Sequence, residues 1–303
     1  MARVLVAGGS GFIGRALVQA LIARGDRVTV LTRGEAGMRE GVPHQHWDPS
    51  PAARATFTEV YDCVVNLSGE QAVGVRYSES VKAGILNSRV DTTKWIVRAI
   101  EHAEEKPKVF VCASGTGFYG STLSSARLDE SAPAGTDFLA QVCVAWEAAA
   151  QGAEQFGVRV VRARISPVLS EKGGALESLL RPFKLFVGGP IGTGRQGFPW
   201  IHLDDQIAAI LRACDDRTLS GPVNFCAPEP IANGELSRII GELLRRPSFL
   251  KAPSFALKTL FGDGAEPLLG GQFAVPRALE RAGFEFKYAD VRSALTAILR
   301  AQS

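Results

Sequence analysis

Gly8, Gly11 and Gly14 stand at a G-x-x-G-x-x-G spacing within Val4-Leu5-Val6-Ala7-Gly8-Gly9-Ser10-Gly11-Phe12-Ile13-Gly14, between an apolar run of strand character and a segment of helical period. Glycine lets the chain turn sharply there and lets backbone N–H groups reach a pyrophosphate, and the last glycine lets helix and strand pack closely. The aligned peptide dipoles at the helix start favour the anion. Gly8, Gly11, Phe12, Ile13 and Gly14 are therefore expected to hold a dinucleotide; a tight turn without a ligand is the plain alternative.

About 20 residues past such a loop, an acidic side chain at the end of the second strand would hydrogen-bond the ribose hydroxyls of NAD. Here the residues are Thr32 and Arg33. A guanidinium offers a fork of donors to a ribose 2′-phosphate, and a charge-assisted bond of roughly 1.5 to 3 kcal/mol would favour NADP by roughly 10- to 100-fold. The expected cofactor is NADP(H), with a solvated strand-end charge as the competing reading of Arg33. Further along, Val64-Val65-Asn66-Leu67-Ser68-Gly69 ends a strand on the edge where ligands sit in open α/β sheets, so Leu67, Ser68 and Gly69 should border the cofactor. The next strands deliver Ser114, Thr116 and Tyr119, and then Ser166, Pro167 and Val168, to the same edge, which makes these nicotinamide-side positions by topology.

The elements that must position these residues are legible from periodicity. Arg3 to Ala7, Val28 to Thr32, Cys63 to Leu67, Val109 to Ala113 and Val158 to Ile165 are short, apolar and rich in β-branched residues, and they read as buried parallel strands. Between them lie helical patterns at Ile13 to Arg24, Ser80 to Ala103 and Asp137 to Gln155, with Gly25 and Gly157 as C-terminal stops. The alternation implies an α/β fold, a Rossmann doubly wound parallel sheet. Residues 1–172 are expected to form the cofactor-binding domain, with a sheet continuation near 200–230, and residues 173–303 a smaller C-terminal substrate lobe interrupted by glycine-rich loops. The chain returns to the sheet near Pro222 to Cys226 and closes with helices around Asn233 to Arg245 and Asp290 to Arg300.

Composition narrows the function classes. With 46% hydrophobic and 21% charged residues the chain matches an ordinary globular protein, and a net charge of +3 with scattered basic residues argues against nucleic acid as a partner. No apolar stretch approaches the ~18 residues of a spanning helix, and no basic region precedes the apolar N-terminus, so neither a signal peptide nor a membrane anchor is expected. The five cysteines are odd in number and mostly in apolar segments, which suits buried thiols and a reducing, cytoplasmic compartment. His44 and His46 share a strand face without a third ligand, so no metal is expected.

Several segments together resemble the extended branch of the short-chain dehydrogenase/reductase superfamily, and more closely the YfcH-like NAD(P)-dependent epimerase family. They are Thr32-Arg33, Asn66-Leu67-Ser68-Gly69-Glu70, Arg76-Tyr77 leading into Ser88-Arg89, Trp146-Glu147, Gly188-Gly189-Pro190-Ile191-Gly192 and Arg195-Gln196. Two more are Pro199-Trp200-Ile201-His202-Leu203-Asp204-Asp205, which is long and unusual, and the stretch from Pro276 to Phe284. The match runs nearly end to end. It implies an NADP-binding fold in which Thr32 and Arg33 hold the adenosine phosphate and Arg89 approaches the cofactor; a surface arginine on an amphipathic helix is the alternative for Arg89.

Short-chain dehydrogenases use a tyrosine as general acid/base, with a lysine four residues on lowering its pKa. Tyr61, Tyr77, Tyr119 and Tyr288 are followed at that spacing by Val65, Val81, Leu123 and Arg292. Anchored on Trp146-Glu147, the helix that would carry the pair has Leu139 and Cys143 in those places, so this chain is atypical. Ser114 and Thr116 could polarise a substrate oxygen and Tyr119 could hydrogen-bond substrate, though such a tyrosine is commonly structural; Cys143 as a proton donor would need a thiol that burial leaves inert. Arg195, Gln196 and His202 could line the substrate pocket, while Asp204 or Asp205 caps the following helix and Trp200 packs in the core. Two readings stand: an NADP(H)-dependent oxidoreductase or epimerase-like enzyme of a small polar, sugar-like or nucleotide-linked substrate, or a non-catalytic NADP(H)-binding sensor or structural protein.

Overall fold

Strands with apolar residues on both faces need helices on both sides, and the chain meets that need by alternating the two. The computed structural model describes residues 1–50 and 52–301. Eight strands form the main sheet: β1 (Arg3–Ala7), β2 (Arg27–Thr32), β3 (Gly37–Arg39), β4 (Val42–His46), β5 (Cys63–Asn66), β6 (Val109–Gly115), β7 (Arg159–Ile165) and β8 (Gly221–Phe225). Their spatial order is β8-β7-β6-β5-β1-β2-β4-β3. Every neighbouring pair is parallel except the β3–β4 hairpin at one edge. Chain order reverses at β1, which lies between β2 and β5, and this is where open α/β sheets leave a crevice for ligands.

The register sets which loops share that crevice. Ala7 lies opposite both Leu31 and Asn66, and Asn66 lies opposite Cys112, so the segments after β1, β2, β5 and β6 all leave from one edge. Alternation along β1 sends Val4 and Val6 to one face and Leu5 and Ala7 to the other. The first face is covered by α1 (Phe12–Ala23), which adds Leu17 and Leu21. The second is covered by α2 (Glu79–His102) and α3 (Phe138–Gln151), which add Trp95, Ile96 and Trp146. The Ser78 hydroxyl and the Asp137 carboxylate cap α2 and α3 by accepting the Val81 and Ala140 N–H groups. Residues 152–155, expected as the end of α3, belong instead to a 3₁₀ turn, Gly152–Phe156, that stops at Gly157, whose φ of +76° suits glycine.

Beyond β7 the chain builds a third apolar cluster. It draws Leu176 and Leu180 from α4 (Ala175–Lys184), Leu236 and Ile240 from α6 (Asn233–Leu244), Leu295 from the helix Val291–Ala301, and Trp200 from the segment ahead of Ile201. The intervening α5 (Leu203–Asp215) returns to the main sheet, packing Ile207 and Ile210 beside α1. Short strands Val168–Ser170 and Ile201–His202 pair in parallel and join the two regions. Among the described residues no helix is long and apolar enough to cross a membrane.

Candidate cofactor site

The glycine loop is shaped by close backbone approach. Gly8 has φ +78°, and a Cβ there would lie 2.7 Å from the Leu67 carbonyl carbon and 2.9 Å from the Ser68 nitrogen. The loop after β1 therefore rests directly on the loop after β5. A Cβ on Gly14 would collide with the Gly8 carbonyl oxygen, so the first turn of α1 packs against the loop that precedes it. The α1 N-cap is Gly11, in extended conformation with no side-chain cap, which leaves the first-turn N–H groups of Phe12 and Ile13 without a side-chain acceptor. The Phe12 ring turns away to cover Gly173 and Gly174, where an added Cβ would come within 3.2 and 2.8 Å of it.

The loop after β5 is held from below. Buried Asn66 accepts the Ser68 N–H at 3.0 Å and donates to Thr93 Oγ1 at 2.9 Å. Arg89 donates to the carbonyls of Ile85 (2.9 Å) and Glu70 (2.8 Å), and lies 5.2 Å from the centroid of the Trp146 ring. A Cβ on Gly69 would sit 3.0 Å from its guanidinium carbon. Arg89 is thus in contact with the Gly69-Glu70 segment and is not a solvated charge on a helix face; burial lowers its pKa. At the end of β2, Thr32 Oγ1 accepts the Gly34 N–H at 3.1 Å, and Arg33 is exposed with no ion-pair partner among the described residues.

Ser114 and Tyr119, which the sequence offers as hydroxyls for chemistry, enter a buried polar network instead. Ser114 donates to Glu147 at 2.8 Å, and Glu147 receives Arg164 through both carboxylate oxygens at 2.8 and 3.0 Å. Arg164 also donates to the Tyr119 hydroxyl at 3.0 Å, which in turn meets Asn224 Oδ1 at 2.7 Å. Burial pushes the Tyr119 phenol up to about 12 despite the pull of Arg164. Thr116 is buried at the start of the turn Thr116–Tyr119, and its hydroxyl has no partner among the described residues. In α3, Cys143 and Leu139 lie under Gly117, and burial, with the Glu147 carboxylate, pushes the Cys143 thiol up to about 11. Glu147, Arg164 and Asn224 are not among the site residues that the sequence offers; the available signal was the three arginines, Arg159, Arg162 and Arg164, in the otherwise apolar β7, and the Trp146-Glu147 pair.

The other candidates fall into two places. His202 pairs beside Leu169, next to buried Val168. Its ring Nδ1 accepts the Asp204 N–H at 3.0 Å, so His202 is itself the N-cap of α5. This corrects the expectation that Asp204 or Asp205 caps that helix: Asp205 accepts the N–H groups of Lys287 (2.8 Å) and Tyr288 (3.0 Å), while Asp204 pairs with the Lys287 ammonium. Gln196 is buried and donates to the carbonyls of Ile191 and Leu268, leaving Oε1 buried without a partner among the described residues. Arg195 beside it is exposed. Trp200 is fully buried, as expected. His44 and His46 each bond a backbone carbonyl, that of Val42 or Gly34.

A parallel sheet whose order reverses at β1, with a glycine loop and an uncapped helix N-terminus at the reversal, defines a Rossmann-type protein of the extended short-chain dehydrogenase/reductase kind. The chain belongs to the NAD dependent epimerase/dehydratase family, whose model matches residues 4–224. A domain of unknown function, DUF1731, matches residues 252–298. The chloroplastic epimerase family protein SDR39U1 homolog of Arabidopsis thaliana is 40% identical over 305 residues, covering 98% of this chain and 86% of that protein. The crystal structure of human epimerase family protein SDR39U1 with NADPH is similar with a TM-score of 0.88 at 35% identity, over 98% of this chain and 99% of that one. A nucleoside-diphosphate sugar epimerase from Corynebacterium glutamicum gives a TM-score of 0.80 at 32% identity, over 98% of this chain but 58% of that one.

Proposed function

We propose that this protein binds NADP(H) along the carboxyl edge of β1, β2, β5 and β6. On this reading it acts as an oxidoreductase or epimerase-like enzyme on a small polar, sugar-like or nucleotide-linked substrate, held between that edge and a C-terminal lobe of residues 173–303. The observation that carries the proposal is the glycine cradle: Gly8 and Gly14 leave no room for a Cβ, and the α1 N-terminus has no side-chain cap. The Phe12 and Ile13 N–H groups would meet the pyrophosphate, Leu67, Ser68 and Gly69 would border the cofactor, and Val168 would face its nicotinamide side. Thr32 and Arg33 would take the adenosine 2′-phosphate, and the human relative crystallised with NADPH supports the phosphorylated dinucleotide. Arg89 has no carboxylate in its hydrogen bonds and would place a positive charge beside that loop.

When bound, the cofactor supplies a hydride donor or acceptor. On the chain's side, Ser114 already donates its proton to Glu147, so toward a substrate it can only accept. Thr116 keeps a hydroxyl free to donate. Tyr119, bonded to Arg164 and Asn224, serves the network, and Arg195, Gln196 and His202 remain pocket candidates. The nucleoside-diphosphate sugar epimerase at 32% identity supports the substrate class. The five free cysteines fit a reducing, cytoplasmic setting. One observation favours a second reading, a non-catalytic NADP(H) sensor: Leu139 and the buried Cys143 occupy the places of the tyrosine and lysine.

Titrating NADPH and NADH into the wild type and Arg33→Ala tests the cofactor. The wild type should prefer NADPH by roughly 10- to 100-fold and the variant should lose that preference. Equal affinities in the wild type would sink the assignment. Exposing the NADP(H)-loaded protein to a broad metabolite panel separates enzyme from sensor: an oxidoreductase changes the cofactor's redox state and an epimerase releases a stereoisomer of the added metabolite, whereas a sensor does neither.

A further inference from the structure

The amino-terminal edge of the sheet, opposite the glycine loop, brings two thiols together from distant parts of the chain. Cys63 opens β5 and Cys214 lies in the last turn of α5, with their sulfurs 3.1 Å apart and Cys63 as donor. Beside them is a cavity of about 400 Å³ whose lining includes Met1, Arg24, Asp62, Lys108 and both cysteines. Cys63 is buried, whereas Cys214 is only half-buried. Arg159 donates to the carbonyls of Ala213, Cys214 and Leu219, which sets its charge next to both sulfurs.

We propose that Cys63 and Cys214 form a reversible thiol-oxidation site that closes to an intramolecular disulfide when the protein meets a peroxide. The cavity gives the oxidant a route to Cys214, the more accessible sulfur. The Cys214 sulfur gives up its proton and attacks one peroxide oxygen; the O–O bond breaks as the S–O bond forms, and the other oxygen leaves as hydroxide that takes up that proton to become water, giving a sulfenic acid. The Cys63 sulfur then attacks the Cys214 sulfur. The S–S bond forms as the S–O bond breaks, and the hydroxyl leaves as a second water with the Cys63 proton. The two sulfurs lose two electrons and the peroxide gains them. A dithiol reverses the step by thiol–disulfide exchange.

Geometry favours closure over further oxidation. A disulfide needs its sulfurs about 2.05 Å apart, so the pair must close by roughly 1 Å. The hydrogen bond to Cys214 and burial raise the Cys63 pKa well above the ordinary thiol value, which keeps Cys63 a protonated reserve while Cys214 reacts first. The site shares no residue with the glycine loop or with the Ser114–Glu147 network.

The test counts thiols on the intact protein. After a stoichiometric dose of hydrogen peroxide, alkylation under denaturing conditions should modify three of the five cysteines, and dithiothreitol should restore all five. A non-reducing digest should contain a peptide pair joining Cys63 to Cys214. Cys214→Ser should keep all four of its remaining thiols at that dose, and Cys63→Ser should lose only Cys214, as a sulfenic acid that dithiothreitol reduces, with no disulfide-linked peptide, whereas Cys226→Ser should still lose two. Five thiols persisting in the wild type, a disulfide between other cysteines or between chains, or Cys214 driven to sulfinic acid with Cys63 still alkylatable would each overturn the proposal. The wild-type digest decides the matter if a variant fails to fold.

Discussion

A methyl group on Gly14 would fall on the Gly8 carbonyl oxygen and within 2.8 Å of the Gly9 Cα. Both are backbone, so α1 must shift. Gly14→Ala should destabilise the protein by about 1 to 3 kcal/mol, the usual cost of overpacking. It should also weaken NADPH binding by more than about 10-fold, because the first-turn N–H groups move with the helix. An unchanged urea midpoint and affinity would remove the close-packing account. His202 carries a pH dependence. Burial, outweighing Asp204 and Asp205, holds its pKa below the ordinary 6.5, and its Nδ1 must stay unprotonated to cap α5. The unfolded chain therefore binds a proton that the folded chain refuses. The stabilisation is whole above about pH 6.5 and is lost as pH falls from there toward the lower folded value. Urea midpoints should fall between about pH 7 and 5.5 in the wild type, and the fall should be shallower in His202→Asn, which keeps an acceptor but does not titrate. Equal slopes would remove His202 as the cause.

At the level of elements, β6, α3 and β7 are locked by a side-chain network and not by apolar contact alone. Glu147 and Arg164 are each about 4% exposed at the side chain, so removing either takes a buried charge's two-bond partner away, with only Arg162, 3.9 Å from Glu147, left beside the carboxylate. Glu147→Leu or Arg164→Met alone should cost about 3 to 5 kcal/mol in denaturant unfolding, while the double variant should recover most of that loss. If the double variant loses the sum of the two, the pair is not coupled. The same network fixes the Ser114 hydroxyl as an acceptor toward any further group, because its proton is committed to Glu147.

At the level of the whole molecule, the carboxyl edge of the sheet brings distant segments together. The glycine loop rests on the loop after β5, and Phe12 covers Gly173 and Gly174 at the entry to the C-terminal region. NADPH bound here should stabilise the chain against unfolding as a unit, by about 2.7 kcal/mol at a hundredfold excess over its Kd. The observable is the urea midpoint with NADPH compared with NADH at equal concentration. A shift that is absent, or equal for both, would count against the proposed site.

The glycine spacing, the Thr32-Arg33 strand end and the absence of a Tyr-x-x-x-Lys pair were all legible in the sequence. So were the parallel strands and their helices, to within one or two residues at most ends. Turns, caps and hydrophobic period are local properties, written in residues a few positions apart. The final turn of α3 was less so, because a 3₁₀ turn and an α turn share the same apolar spacing. Partners across the fold were not legible. Ser114 meets Glu147 33 residues on, Tyr119 meets Asn224 105 residues on, and Cys63 meets Cys214 151 residues on. Nor does sequence reveal that His202 caps α5 while Asp205 reaches to Lys287 and Tyr288. The sequence by itself determined the fold and the glycine loop at the carboxyl end of β1. Only tertiary structure decided which hydroxyls there are free and which are bound, because strand register and helix packing set those distances and no local spacing encodes them.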